Sequence, residues 1–175
     1  PGEARPLITN ARALAAQARE RLSQAGFEQR EAKVINRLWL GGLLRSPTNT
    51  ARVGVLAVDP EREREVSDWH TRTETTSWLK PDDTRGALLG AALAERLEVL
   101  VGDKVVLSYQ GPKEAESRLF RVRGLLKGPS PSEEGRLLLI TLKGARGALS
   151  TEGGAHQLSV HLSDVTRLAE VQEAL

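Results

Sequence analysis

The side chains best able to do chemistry in this chain are few and poorly spaced for it. The histidines are His70, His156 and His161. Two metal ligands on one face of a strand need an even separation, because successive side chains alternate between faces. His156 and His161 stand five apart, and no H-E-x-x-H pattern occurs. There is no cysteine, which removes thiolate zinc sites, disulfides and thiol nucleophiles together. A nucleophilic serine would sit in G-x-S-x-G, which is absent. Ser130 and Ser132 lie instead among Gly128, Pro129 and Pro131, where turn formation accounts for them.

Paired carboxylates occur at Asp82-Asp83 and Glu133-Glu134. Adjacent loop residues rarely aim at one substrate, and acid–base catalysis also needs a pocket that tunes their pKa values. No P-loop is present, and Gly86-Ala87-Leu88-Leu89-Gly90 reads better as a strand packing into a helix than as a cofactor turn. The alternating charges from Glu61 to Glu65 fit a solvated helix face. Phe120 among Arg118, Arg121 and Arg123 fits a core aromatic on a strand with a wet face better than a platform for stacked bases. The sequence therefore nominates no catalytic, cofactor-binding or metal-binding residue and points away from nucleic acid.

The elements that would carry these residues are mixed. Leu7, Ala11, Leu14, Ala15, Ala18, Leu22 and Ala25 recur at spacings of three and four, which predicts a helix over about 6–25, with Pro6 in its first turn and Gly26 after its end. A strand follows over 32–40, and Gly41-Gly42 reads as a bulge leading to a loop at 46–49. Val53 to Val58 is a continuous apolar run, the pattern of a strand buried on both faces. The polar stretch 61–83 carries Trp69 and Trp78 and a short helix near 61–69.

Next come a short strand at 87–89, a helix at 91–97 and strands at 104–109 and 118–126. Residues 128–132 read as a loop. A strand at 137–142 then leads to a helix at 145–149, and Gly153-Gly154 makes a turn. A strand at 156–162 and a helix capped by Ser163 or Asp164 complete the pattern.

Composition agrees with a folded, water-exposed domain. Of the 175 residues, 39% are hydrophobic, 27% charged and only 3% aromatic, so the core must be built from Leu, Val and Ala. With 25 basic and 23 acidic residues interspersed, no basic stripe stands out. No apolar run approaches the length needed to span a bilayer. The chain opens on Pro1 rather than Met, as expected of a processed or excised piece.

Read in order, several stretches resemble a known family. Gly86 through Leu107 gives a short strand ending in Gly, a small helix, a Val-Gly-Asp turn at 101–103 and a strand. Phe120-Arg-Val-Arg-Gly124, Glu134 through Ile140, His156 through Val160, and Asp164-Val165 follow in sequence. Upstream, Gly54 through Glu61 and Ser77-Trp78-Leu79-Lys80-Pro81 fit too. The chain is identified by these as resembling the extracytoplasmic (periplasmic) core domain of MacB/FtsX/LolC-type ABC transporter permeases.

The resemblance implies an α/β (α+β) mixed fold of two lobes. A βαβ-type membrane-proximal lobe would be built from both chain ends, residues 1–58 and 151–175, and a β-rich distal lobe from residues 59–150. It implies a non-catalytic module of a bacterial inner-membrane permease, with both chain ends continuing into transmembrane helices. An ABC ATPase and a second permease copy or paralogue would be its partners, with a periplasmic adaptor, carrier or hydrolase as a possible third. ATP-driven movement would pass through it for export or extraction of a substrate, or, as in FtsX, for activating a cell-wall hydrolase. The lipoprotein-releasing branch carries a long hairpin insertion before the Phe-x-Val strand. Here that place holds only residues 110–117, which speaks against that branch.

Overall fold

The computed structural model describes residues 7–73, 78–111, 114–149 and 154–175. In chain order its elements are α1 (Ala11–Gln24), β1 (Ala32–Arg45), β2 (Thr50–Val58), α2 (Pro60–Val66), β3 (Gly86–Gly90), α3 (Ala91–Leu97), β4 (Lys104–Gln110), β5 (Ala115–Leu126), α4 (Pro131–Glu134), β6 (Leu137–Thr141), α5 (Leu142–Leu149), β7 (Gln157–Leu162) and α6 (Leu168–Ala174). Short 3-10 turns cover Trp69–Arg72 and Val165–Arg167.

The strands run β2-β6-β3-β5-β4-β1-β7, and β2 also pairs with β1. Six strands therefore close on themselves, and β7 lies outside the ring. The second half of β1 pairs antiparallel with β2 from Leu38↔Ala57 to Arg45↔Thr50, and its last residues also pair with β4. Among the described residues the first half of β1 pairs with β7 alone, from Ala32↔Leu162 to Arg37↔Gln157. Residues 38–58 thus hydrogen-bond into the same closed sheet as residues 86–141.

Three apolar clusters follow from this layout. The ring encloses Leu38, Val55, Leu89, Leu107, Phe120 and Ile140, and is plugged by Leu93 and Leu97 of α3 and Ala145 of α5. Outside β2, β3 and β6, Leu56, Val58, Leu88 and Leu139 meet Leu79 and the rings of Trp39, Trp69 and Trp78. β3, β6 and the end of β2 from Val55 to Val58 are covered on both faces, which explains why they read as unbroken apolar runs. The third cluster joins Ala15, Ala18 and Leu22 of α1 to Ala32 and Val34 of β1, Val171 of α6 and the partly buried Leu158 and Val160 of β7.

Several boundaries differ from the sequence reading, each for a local reason. Pro6 lies outside the described residues. The first helix starts at Ala11, because Ile8 exchanges backbone hydrogen bonds with Ala155 across a bridge. Leu7 is consequently exposed rather than part of the apolar stripe. Gly26 ends the helix with φ +85°, a left-handed conformation that costs glycine little, while the Phe27 amide donates back to the Leu22 carbonyl.

Gly41-Gly42 neither bulges nor ends β1, and pairing continues in register through Gly41↔Gly54 and Gly42↔Val53. A Cβ on Gly42 would sit 2.8 Å from the Ser108 carbonyl oxygen and from the Leu107 side chain, so glycine there lets β4 come close. α2 stops at Val66 and yields to a 3-10 turn, and the loop at 128–132 holds the one-turn α4, capped by Ser130. α5 starts at Leu142, three residues early, because the Thr141 hydroxyl accepts the Gly144 amide at 2.8 Å. The Gly153-Gly154 turn lies partly outside the described residues.

Candidate functional site

The residues singled out for chemistry are scattered, and most hold structure. Glu134 accepts the Ala92 amide at 3.1 Å and the Gly128 amide at 2.9 Å, clipping the start of α3 to the loop before α4. Glu133 bonds with its capping residue Ser130, and Ser132 is exposed in α4. Asp83 accepts from Arg123 at 2.8 Å, while Asp82 faces solvent. Burial raises the Asp83 pKa, but bonds from the Arg85 amide and from Arg123 prevail and hold it below the usual carboxylate range. Gly86 through Gly90 form β3, and a Cβ on Gly90 would overlap the Glu134 carbonyl, so these glycines serve packing. Among the described residues no three His, Asp or Glu side chains are placed to hold a metal ion.

The histidines stand apart. His70 packs edge-on to Trp78, with ring centroids 6.2 Å apart. The ring Nδ1 of His156 accepts the Trp39 amide at 3.1 Å. His161 lies opposite Lys33 on β1, beside an ion pair that sequence reading did not find. There Arg37 Nε donates to Glu63 Oε2 at 3.0 Å and Arg37 Nη2 to Glu63 Oε1 at 2.6 Å. Glu63 is 1% exposed, so this bidentate pair is nearly dry. It fastens α2 to the first half of β1, and Lys33 adds a looser pair to Glu65 at 3.5 Å. Burial, then Arg37, pushes the His161 pKa down against the opposing pull of Glu63.

Across the strand lies a cleft of about 480 Å³. Its walls come from α1 (Arg12, Arg19), β1 (Asn36), the β2–α2 junction (Asp59, Glu61, Arg62) and the β6–α5 junction (Thr141, Lys143). Arg12 and Arg19 are seven apart, two helical turns, and so share one face of α1. Arg19 Nη2 and Arg62 Nη1 both reach for the Val34 carbonyl, at 3.3 and 3.5 Å. Burial and the facing Arg62 lower the pKa of Arg19, with Asp59 partly compensating. Asp59 is occupied twice over, accepting the Glu61 and Arg62 amides as the α2 cap and pairing with the Arg62 side chain at 3.5 Å.

Among the described residues the cleft gathers no metal-binding set. It joins parts of the chain that belong to different hydrogen-bonded units. The family model for the MacB-like periplasmic core domain matches residues 3–175. The chain belongs to that family. It is the periplasmic core domain of a MacB-like ABC transporter permease.

Solved structures of the same fold agree. The extracellular domain of the noncanonic ABC-type transporter YknZ from Gram-positive bacteria superposes with a TM-score of 0.62 at 10% identity, covering 87% of this chain and 76% of that one. The periplasmic region of MacB from Actinobacillus actinomycetemcomitans gives 0.61 at 12% identity, covering 88% and 70%. No curated protein sequence matches. No helix of this MacB-like domain, among the described residues, is long and apolar enough to cross a membrane.

Sequence reading missed the cleft because its cations are far apart in the chain. The one available signal was the seven-residue spacing of Arg12 and Arg19 off the apolar stripe. Arg37 carried a signal too, a charge inside a strand that is otherwise closely packed.

Proposed function

We propose that this domain transmits ATP-driven motion of its permease to a substrate outside the membrane, through two lobes that share β1. α1, the first half of β1, β7 and α6 form the membrane-proximal lobe. The closed sheet, with α2 to α5, forms the distal lobe. The boundary expected at residues 58/59 then moves to Arg37/Leu38. The observation that carries this reading is the division of β1, whose two halves pair with different partners and pack in different clusters. A cleft lined from both lobes supports handling of a substrate at their junction. The short connection between Gln110 and Ala115 supports export over lipoprotein release. An ATPase partner and a paired permease are part of the same reading.

The test uses the full-length permease with its ATPase. Lys33→Cys and Glu65→Cys are introduced across the lobe junction and bridged with a reducible bis-maleimide, the domain having no cysteine of its own. Bridging should stop ATP-driven transport, and reduction should restore it. Undiminished transport by the bridged protein would sink the reading.

A second reading, docking of an extracytoplasmic partner, is favoured by one feature. Leu100 and Val101, in the turn before β4, are 74% and 46% exposed on the distal lobe. Leu100→Asp should then abolish partner activation while sparing ATP hydrolysis. An unaffected partner removes this reading.

A further inference from the structure

The cleft between α1, α2 and α5 carries unspent hydrogen-bonding capacity of two kinds. On the donor side, Arg12 and Lys143 make no hydrogen bond or ion pair within the described chain. Arg19 Nε is buried with no hydrogen-bond partner, and the same guanidinium shares one carbonyl with Arg62 through two long contacts. Two guanidiniums drawn towards one neutral oxygen repel each other, and Asp59 offsets this only in part. On the acceptor side, Asn36 Oδ1 is also buried with no partner. Buried polar atoms are rarely left so, and an unmet one points to a missing ligand or water.

Arginine and lysine only donate, and the Asn36 oxygen only accepts. A molecule with several anionic oxygens and one hydroxyl meets both demands at once. Asp59 does not fill the role, being committed to the α2 cap and to Arg62. Glu61, also in the lining and without a partner, limits how much negative charge the cleft accepts.

The geometry points to a binding site for a protonated phosphate, held by Arg12, Arg19, Arg62 and Lys143 through its anionic oxygens and by Asn36 Oδ1 through its P–OH. Sulfate has the same shape and no proton to offer, so the site discriminates between them. The cleft is a property of this folded domain and does not depend on what the permease carries. Two sources present the group: free phosphate, and a phosphomonoester lipid headgroup below its second pKa of about 6.

The test is titration of the 175-residue domain with inorganic phosphate by calorimetry at pH 6, alongside sulfate at equal ionic strength. Phosphate should bind at least tenfold more tightly than sulfate, because the latter leaves the Asn36 oxygen unmet. Arg12→Gln and Lys143→Gln alter exposed side chains and should each weaken phosphate about tenfold, the cost of one charge-assisted contact. Glu61→Gln should strengthen it. Arg45→Gln removes an exposed charge at the far end of β1 and should change nothing. Sedimentation at pH 5.5 with phosphatidate vesicles, against phosphatidylglycerol vesicles whose diester lacks the P–OH, distinguishes the sources. Binding to phosphatidate that free phosphate competes away assigns the headgroup. Binding of free phosphate alone assigns the soluble ion. No phosphate binding at millimolar concentration, equal affinity for sulfate, or equal losses from Arg12→Gln and Arg45→Gln would each overturn the site.

Discussion

Removing one member of the Arg37–Glu63 pair should be among the most damaging single changes open to this domain. The pair is bidentate, with bonds of 3.0 and 2.6 Å, and the side chains are 15% and 1% exposed. Glu63→Leu leaves the mostly buried Arg37 guanidinium without its carboxylate and should cost about 3–5 kcal/mol. Arg37→Met strands a carboxylate in the same place and should cost a similar amount. The double variant removes both charges together, and such exchanges are often close to neutral, so it should lie within about 1 kcal/mol of the parent. The two losses are therefore strongly non-additive. Urea unfolding of the four proteins measures this. In a domain of this size each kcal/mol moves the melting temperature about 2–4 °C, so either single change should lower it by roughly 10 °C. Single variants costing under about 1 kcal/mol, or a double variant as unstable as the sum, would refute the view of this pair as a dry, mutually dependent staple.

Three further outcomes are expected. Gly90→Ala should destabilise by about 3 kcal/mol or more, since its methyl group would overlap the Glu134 backbone and force α3 from its clip, and thermal melting reports it. Stability should fall with acid in a window set by His161. Its folded pKa is lowered, so below the unfolded value of about 6.5 the unfolded chain binds the extra proton and gains. Facing it are Lys33 and Arg37 from β1 and Glu63 and Glu65 from α2. His161→Gln should flatten the urea midpoint between pH 7.5 and 5, and an unchanged slope counts against the assignment. Glu98, which closes α3 at φ 55°, should be stabilised by up to about 1 kcal/mol on replacement by glycine, seen as a higher urea midpoint; a lower one would show that its side chain matters more than its backbone.

The sequence was legible where one physical rule governed a segment. Phe120 and Val122 alternate with Arg121 and Arg123 because β5 has one wet face, and Leu137–Thr141 runs unbroken because β6 has none. Rules failed where a distant partner decided. Gly41-Gly42 looks like a break because glycine weakens strands, yet Gly42 is there so that β4 fits against β1. The start of α1 depends on Ala155, almost the whole chain away. The cleft is the extreme case: four cations from three separate stretches meet only because β1, α2 and α5 are brought to one face of α1, and periodicity within a segment cannot register that.

The divided pairing of β1 also sets an order of assembly. Among the described residues Ala32–Arg37 have no strand neighbour except β7, which is synthesised more than a hundred residues later. Until then that half-strand presents two open edges, a template for pairing with another chain. Bringing Trp39 to Gln157, 118 positions apart, is entropically steep for a loose chain. Once the closed sheet has formed, the end of β6 at Thr141 is held beside Val58, in the sheet to which the second half of β1 also belongs, and the remaining search for β7 is shorter. The ring is thus the scaffold on which the two chain ends meet, and a variant that slows its closure should aggregate through the waiting strand before it loses any native contact elsewhere.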